Sequence, residues 1–175
     1  MSILKVARMG HPVLRQKTRA LDRVEITSPS IQKLIDDMLE TMAEYHGVGL
    51  AAPQVHASVR LFVAALDSDD DESQEDEPVV LINPEITPIG SAEAEGWEGC
   101  LSIPDIRGQV PRAKEIIVRG YDRTGSRIEI TARDFPARVI QHEADHLDGV
   151  LFFDRMRSFE TLTFLDEYAR YWTKD

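Results

Sequence analysis

Residues 141–149 read Q-H-E-A-D-H-L-D-G, and this stretch predicts a helix that carries a metal site. Because His142 and His146 are four positions apart, a helix places both imidazoles on one face, about one turn apart. Two imidazoles at this spacing can hold one metal ion. The Glu143 carboxylate can then contact a water molecule bound to the ion, as in hydrolases with an H-E-x-x-H motif. The alternative is a surface helix with two histidines and ordinary acids.

Capping residues and apolar spacing predict the bounds of this helix and of a second helix earlier in the chain. Asp134 can cap the histidine helix, Pro136 suits its first turn, and Gly149 ends it. A second helix is predicted from about Ser28 to Tyr45, because apolar residues recur there at helical spacing. Its apolar stripe consists of Ile31, Leu34, Ile35, Met38, Leu39 and Met42. We interpret this stripe as core.

The rest of the chain predicts short strands. Residues 60–66 and 79–83 have the composition of strands, and residues 85–97 are predicted to be irregular. Residues 116–121 and 127–132 are predicted to form a hairpin, since the segment between them supplies turn residues.

We therefore expect a single α+β domain over residues 1–175. Small antiparallel or mixed sheets would pack around the histidine helix, and a C-terminal helix would cover residues 159–172.

The charge of the chain is concentrated in one segment. The chain has 20 basic and 31 acidic residues, and eight of the acids lie within residues 67–78. Without these eight, the net charge of −11 falls to −3, so no basic surface indicates nucleic-acid binding. Residues 67–77 are predicted to form a solvated surface loop. The chain has no run of about 18 apolar residues for a membrane helix and no secretion signal, so we expect a cytoplasmic protein.

The third metal ligand determines the chemistry, because catalytic zinc-type sites use three protein ligands. In one large class of metallopeptidases, a third histidine follows at the position of Phe152. Gly149 fits the pattern of that class, but Phe152 cannot ligate. A glutamate farther along, Glu160 or Glu167, is a second option. The lone cysteine, Cys100, is a third.

Three motifs in this order resemble those of the peptide deformylases. They are G-V-G-L-A-A-P-Q at residues 47–54, E-G-C-L-S at residues 98–102 and H-E-A-D-H-L-D-G at residues 142–149. The similarity extends from the N-terminus to about residue 155. It implies hydrolysis of the formyl group from N-terminal N-formylmethionine of newly made polypeptides, with release of formate.

The resemblance also implies roles for individual residues. Cys100, His142 and His146 would bind one divalent metal, physiologically Fe²⁺, although Zn²⁺, Ni²⁺ or Co²⁺ also suits these ligands. A water activated by the metal would attack the formyl carbon, with Glu143 as general base. The Gln54 side-chain amide and the Leu101 backbone N–H would donate hydrogen bonds to the formyl oxygen.

A substrate pocket for methionine is implied as well. Its residues would be Val48, Gly49, Gly99, Arg107, Phe135 and Val139. Sequence alone leaves the two valines open as core residues. Glu98 and Asp145 are candidates to orient Cys100 or a ligating histidine, and the direction of the Arg138 side chain is left open.

Two other functions remain open on the sequence. One is a metallopeptidase with an H-E-x-x-H motif, and the other is a non-catalytic metal-binding or redox-sensing module built on Cys100. Glu143 and Gln54 favour catalysis, because a passive site needs neither. The expected partners are N-formylmethionyl nascent chains. Ribosome docking through the C-terminus is poorly supported, since four acids and only two bases follow residue 158.

Overall fold

The predicted histidine helix is present at the centre of the fold. The computed structural model describes residues 2–66 and 78–173. The α-helices in this part of the chain are α1 (Arg23–Ile26), α2 (Pro29–Glu44), α3 (Asp134–Leu147) and α4 (Leu165–Tyr171). Short 3-10 helices cover Pro12–Arg15, Ala52–Val55 and Phe152–Arg155. No helix among the described residues is long and apolar enough to cross a membrane.

The strands form two antiparallel sheets. They are β1 (Gly49–Ala51), β2 (Leu61–Ala64), β3 (Val79–Pro88), β4 (Glu93–Cys100), β5 (Ile103–Ala113), β6 (Glu115–Tyr121), β7 (Arg127–Arg133) and β8 (Thr163–Phe164). One sheet has the order β1-β2-β3-β6-β7 and the other the order β4-β5-β8. Strands β2 and β3 pair with Ala64 directly opposite Val79. The expected α+β class is therefore confirmed.

Helix α3 lies between the two sheets. It contacts β1, β2 and β7 of the larger sheet and β5 of the smaller one. Val139, Ile140 and Leu147 pack into a buried cluster with Phe62 and Leu81 of the larger sheet. These contacts hold the helix on the larger sheet, and its His146 lies beside Cys100 at the end of β4.

Helix α2 confirms the helix predicted after Ser28. The Ser28 hydroxyl accepts a hydrogen bond from the backbone N–H of Ile31 at the start of the helix. Ile35, Met38 and Met42 of the predicted stripe are buried in a cluster with residues of the first three strands. The stripe is thus core, as interpreted from its spacing.

The prediction that residues 85–97 are irregular was wrong. Strand β3 continues to Pro88, and β4 begins at Glu93. Asn83 has a positive φ of 52°, and the register with β6 shifts between Ile82 and Glu85. The strand thus accommodates Pro84 at an irregularity between two regularly paired segments. The pairing of β4 with β5 is a long-range interaction, which a local pattern does not reveal.

The bounds of the C-terminal helix and the cap of α3 also differ from expectation. The predicted helix over residues 159–172 is reduced to α4, because Thr163 and Phe164 pair with β5 as a short strand. Asp134 is the first residue of α3 and not its cap, a position that Arg133 takes without a side-chain hydrogen bond. The acidic loop expected at residues 67–77 lies outside the described residues.

We predict that Ile35→Ala destabilises the protein strongly. Ile35 is fully buried on α2, and removal of a buried isoleucine side chain to Ala typically costs about 2–5 kcal/mol. Val24→Ala is the control, because Val24 is 82% exposed and its truncation should change stability by less than about 0.5 kcal/mol. Urea denaturation measures both. Equal losses would contradict the assignment of α2 to the core.

Candidate metal centre and active site

Cys100, His142 and His146 converge at the end of β4. The potential ligand atoms of the three side chains all lie within 4.8 Å of one another, and all three residues are buried. The Cys100 Sγ lies 3.3 Å from the His146 Nε2, and the two imidazole centroids are 5.0 Å apart. Of the three candidates for the third ligand, the structure therefore brings Cys100 to the histidines.

The other candidates for a third ligand do not join this cluster. The Phe152 ring stacks on the His142 ring with a centroid distance of 6.3 Å. Glu160 is exposed, and Glu167 forms an ion pair with Arg170 on α4.

Glu98 orients one of the histidines. Its Oε2 lies 2.9 Å from His142 Nδ1, which leaves Nε2 free to face the cluster when Nδ1 carries the proton. Burial raises the pKa of the Glu98 carboxyl, but hydrogen bonds from His142 and Arg112 outweigh this and lower the pKa to about 2. Glu98 is therefore a carboxylate at neutral pH and a permanent acceptor for His142.

Arg112 links Glu98 to the histidine helix. Its Nε donates to Glu98 Oε1 at 2.9 Å, and its Nη1 donates to Asp145 Oδ2 at 2.6 Å. Asp145 also accepts a hydrogen bond of 2.7 Å from Arg155. Asp145 is buried and is linked to His142 through Arg112 and Glu98. Sequence analysis missed Arg112, because this residue belongs to none of the sequence motifs.

The Arg138 side chain, whose direction was open, points into the fold. Its guanidinium donates to the backbone carbonyls of Ala94, Gly96 and Val110 and to Glu98 Oε1. Arg138 therefore fixes β4 and β5 to α3 from the side of the cavity.

The electrostatics of the cluster fit a metal cation. Burial raises the pKa of the Cys100 thiol, but the neighbouring His146 and His142 outweigh it and bring the pKa well below the usual value. Burial lowers the pKa of His142, but hydrogen bonds with Cys100 and Glu98 raise it well above the usual value. The surroundings of the cluster thus stabilise positive charge. One thiolate and two imidazoles would supply three protein ligands to a metal ion, the number that catalytic zinc-type sites use.

Glu143 lies beside the cluster in a tightly packed position. Its side chain is buried, and Oε2 has no hydrogen-bond partner among the described residues. A Cβ atom added at Gly49 would overlap the Glu143 carboxylate. Burial raises the pKa of Glu143 to about 7, although the two histidines oppose the shift. The carboxyl can therefore exchange a proton near neutral pH.

The Gln54 amide points toward the same place. Gln54 lies on the 3-10 helix Ala52–Val55 and is 1% exposed. Its Oε1 accepts a hydrogen bond from the Ala51 backbone N–H at 2.8 Å. Its Nε2 lies 3.2 Å from Ser102 Oγ and 3.5 Å from Cys100 Sγ. The amide is thus held with its donor end next to the cysteine.

A cavity of about 500 Å³ opens above these groups. Among the residues singled out from the sequence, it is lined by Val48, Gly49, Gln54, Glu98, Gly99, Cys100, Leu101, Arg107, Phe135, Arg138, Val139, His142 and Glu143. His146 is buried behind this surface and is not among the lining residues. Val139 is buried, whereas Val48 and Phe135 are about half exposed at the mouth. The Arg107 guanidinium lies so close to Gly99 that a Cβ there would overlap it. Sequence analysis missed Trp97 and Leu165, which also line the cavity.

Comparison with known proteins points to one family. The sequence profile of the polypeptide deformylase family matches residues 3–161. Peptide deformylase 2 of Nostoc sp. is 44% identical over 175 residues, which cover 99% of this chain and 97% of that protein. Peptide deformylase 1 of Bordetella pertussis is 44% identical over 156 residues, which cover 87% of this chain and 86% of that protein.

Solved structures agree with this result. A class I type b peptide deformylase from Acinetobacter baumannii with bound Met-Ala-Ser has a TM-score of 0.82 and 41% identity. That match covers 89% of this chain and 100% of the other. Peptide deformylase from Thermotoga maritima has a TM-score of 0.80 and 39% identity, with coverage of 90% and 100%.

We predict that His146→Ala loses most of the bound metal. The variant removes one of three ligands from a site that should hold about one ion per chain. Elemental analysis of protein purified without oxygen measures the metal content. His11→Ala is the control, because His11 lies outside the cluster and the cavity. Full metal content in His146→Ala would show that the ion binds elsewhere.

Proposed function

Because this chain belongs to the polypeptide deformylase family, we propose that it removes the formyl group from N-terminal N-formylmethionine of newly made polypeptides. One observation carries the proposal: Cys100 and His142 of the Cys100, His142 and His146 cluster line the same cavity as Glu143 and Gln54. A metal site, an acid–base group and an amide donor are the components that hydrolysis of an amide requires.

The three ligands would hold one divalent metal, and we propose Fe²⁺ as the physiological ion. When bound, such an ion is a Lewis acid that lowers the pKa of water to near neutrality. A thiolate with two imidazoles also accommodates Zn²⁺, Ni²⁺ and Co²⁺. Glu98 supports the site by fixing the His142 ring through Nδ1.

Glu143 is proposed as the general base. It takes a proton from the attacking water and later passes it to the leaving amine. Its burial, its pKa of about 7 and the unpartnered Oε2 support this role. A carboxyl with such a pKa is suited both to accept and to release a proton at neutral pH.

The formyl oxygen would be bound by the Gln54 amide and the Leu101 backbone N–H. The Ala51 N–H holds the carbonyl end of the Gln54 side chain, so the amide group needs little rearrangement to donate. Leu101 directly follows Cys100 and lines the cavity. Donors fixed in advance at the place where negative charge develops lower the barrier without reorganisation.

The methionine side chain would occupy the apolar part of the cavity. Val48, Phe135 and Val139 supply its wall, and Arg107 lies at the rim above Gly99. Gly49 would form the surface next to the formyl group. The Glu143 carboxylate occupies the space where a Cβ atom of residue 49 would lie. This close packing supports a preference for formyl over acetyl, because a methyl group needs space where hydrogen does not.

We further propose that the protein works in the cytoplasm on nascent chains. The resemblance also implies a transient contact with the ribosome, but the charge of the C-terminal segment does not support such a contact. From residue 159 the chain carries four acids and two bases, which is unfavourable for binding RNA.

We predict that the iron- or nickel-loaded protein releases formate from formyl-Met-Ala-Ser and acts far more slowly on acetyl-Met-Ala-Ser. Glu143→Gln should keep the metal and lose about 10²–10⁴ in turnover, as for other general acid–base groups. Glu160→Gln is the matched control, because Glu160 is exposed and lies away from the cavity. Absence of formate release by metal-loaded wild type would overturn the proposed function, and cleavage of internal peptide bonds would favour a peptidase.

We predict that Gly49→Ala impairs catalysis without loss of the metal. The new Cβ overlaps the Glu143 carboxylate, which must move away from its position. A displacement of about 1 Å can cost about 10²-fold in turnover. Formate release, metal content and melting temperature are measured together. Full turnover in this variant would show that the position of Glu143 is not critical.

A further inference from the structure

One residue of the cavity wall comes from the C-terminal end of the chain. Leu165 lines the cavity together with Trp97 and Arg107, although it is the first residue of α4. The match to the family profile ends at residue 161. Leu165 therefore adds an apolar surface from a segment outside the part of the chain that the profile covers.

This segment is held at the cavity by contacts on both sides. Upstream, Phe164 pairs with Ile106 and Thr163 pairs with Arg107 in the β5–β8 ladder. Downstream, Tyr168 and Trp172 contact the Trp97 ring edge to face, at centroid distances of 4.8 and 5.2 Å. We call residues 163–172 the C-terminal wall.

Leu165 and the apolar residues of α3 reach the cavity from different elements of the fold. Leu165 directly follows Phe164, which pairs with Ile106 of β5. Asp105, which directly precedes Ile106, lines the same cavity. Phe135 and Val139 line it from α3. A cavity of about 500 Å³ is in the range that binds ligands larger than one side chain. The cavity is thus large enough for more of the substrate than the methionine side chain.

We propose that Leu165 selects apolar side chains in the residues that directly follow the N-terminal methionine of the substrate. This inference rests on the proposed deformylation. An extended peptide advances about 3.3 Å per residue, so the residues after methionine pass the mouth of the cavity within a few ångströms of the reacting bond. Leu165 is 37% exposed and offers them the apolar surface of the C-terminal wall.

Steady-state kinetics with two peptides tests the selection. For formyl-Met-Leu-Phe, Leu165→Ala should raise KM by about fivefold and leave kcat within about twofold, since a partly buried apolar contact is lost. For formyl-Met-Ala-Ser, both constants should stay within about twofold of wild type, because its small and polar side chains gain little from that contact. Leu165→Met should keep the wild-type preference, because its apolar volume is similar.

The matched control is Leu162→Ala. Leu162 is 38% exposed, close to the value for Leu165, but it does not line the cavity. This variant should behave as wild type with both peptides. An unchanged KM for formyl-Met-Leu-Phe in Leu165→Ala, or an equal change in Leu162→Ala, would overturn the proposal.

Binding of the deformylated products gives a readout that needs no turnover. Trp97 and Trp172 are the two tryptophans of the chain and are in contact, so intrinsic fluorescence reports on the C-terminal wall. Addition of Met-Leu-Phe should change the emission. Wild type and Leu162→Ala should both bind Met-Leu-Phe more tightly than Met-Ala-Ser, whereas Leu165→Ala should bind the two peptides equally. Equal binding of both peptides to wild type would overturn the inference. Preferential binding without formate release would overturn the proposed function alone.

Discussion

The ion pairs of Arg112 are the constraint on which the site depends. The guanidinium is buried between Glu98 on β4 and Asp145 on α3. Burial of charges is costly, and loss of one partner from such a group typically costs about 3–5 kcal/mol, because it leaves an uncompensated charge. The two elements that carry the three proposed metal ligands are thus joined by an interaction that tolerates little displacement. Arg112 affects the site through Glu98, which orients the His142 ring.

The same arrangement explains why polar groups occupy the core of a small protein. Helix α3 packs on the larger sheet through apolar side chains, and it also buries both histidines, Glu143 and Asp145. Each charged group among them either has a partner or lies at the cavity. Glu143 belongs to the second kind: it lies at the cavity, and its Oε2 has no hydrogen-bond partner among the described residues.

Sequence predicted those parts of the molecule that depend on local patterns. The histidine helix, α2 and the β6–β7 hairpin follow from spacing, caps and turn residues within short windows. Cys100 is 46 residues from His146, and only the resemblance to a family selected it from the candidate ligands. Arg112, β4 and the C-terminal wall depend on long-range contacts, which no local pattern contains. The predicted C-terminal helix was too long for this reason.

The register of β2 and β3 has a consequence for the way this fold can vary. Ala64 and Val79 lie opposite each other at the ends of adjacent antiparallel strands, so the chain leaves and re-enters the sheet at one point. The length of a connection between two such points is weakly constrained, since each doubling of a loop costs only about 0.6 kcal/mol in closure entropy. The proposed metal ligands, Arg112 and Arg138 all lie on other segments. This junction is therefore a place where a lineage can gain or lose residues, or an engineer can graft a foreign sequence, while the catalytic architecture is inherited unchanged.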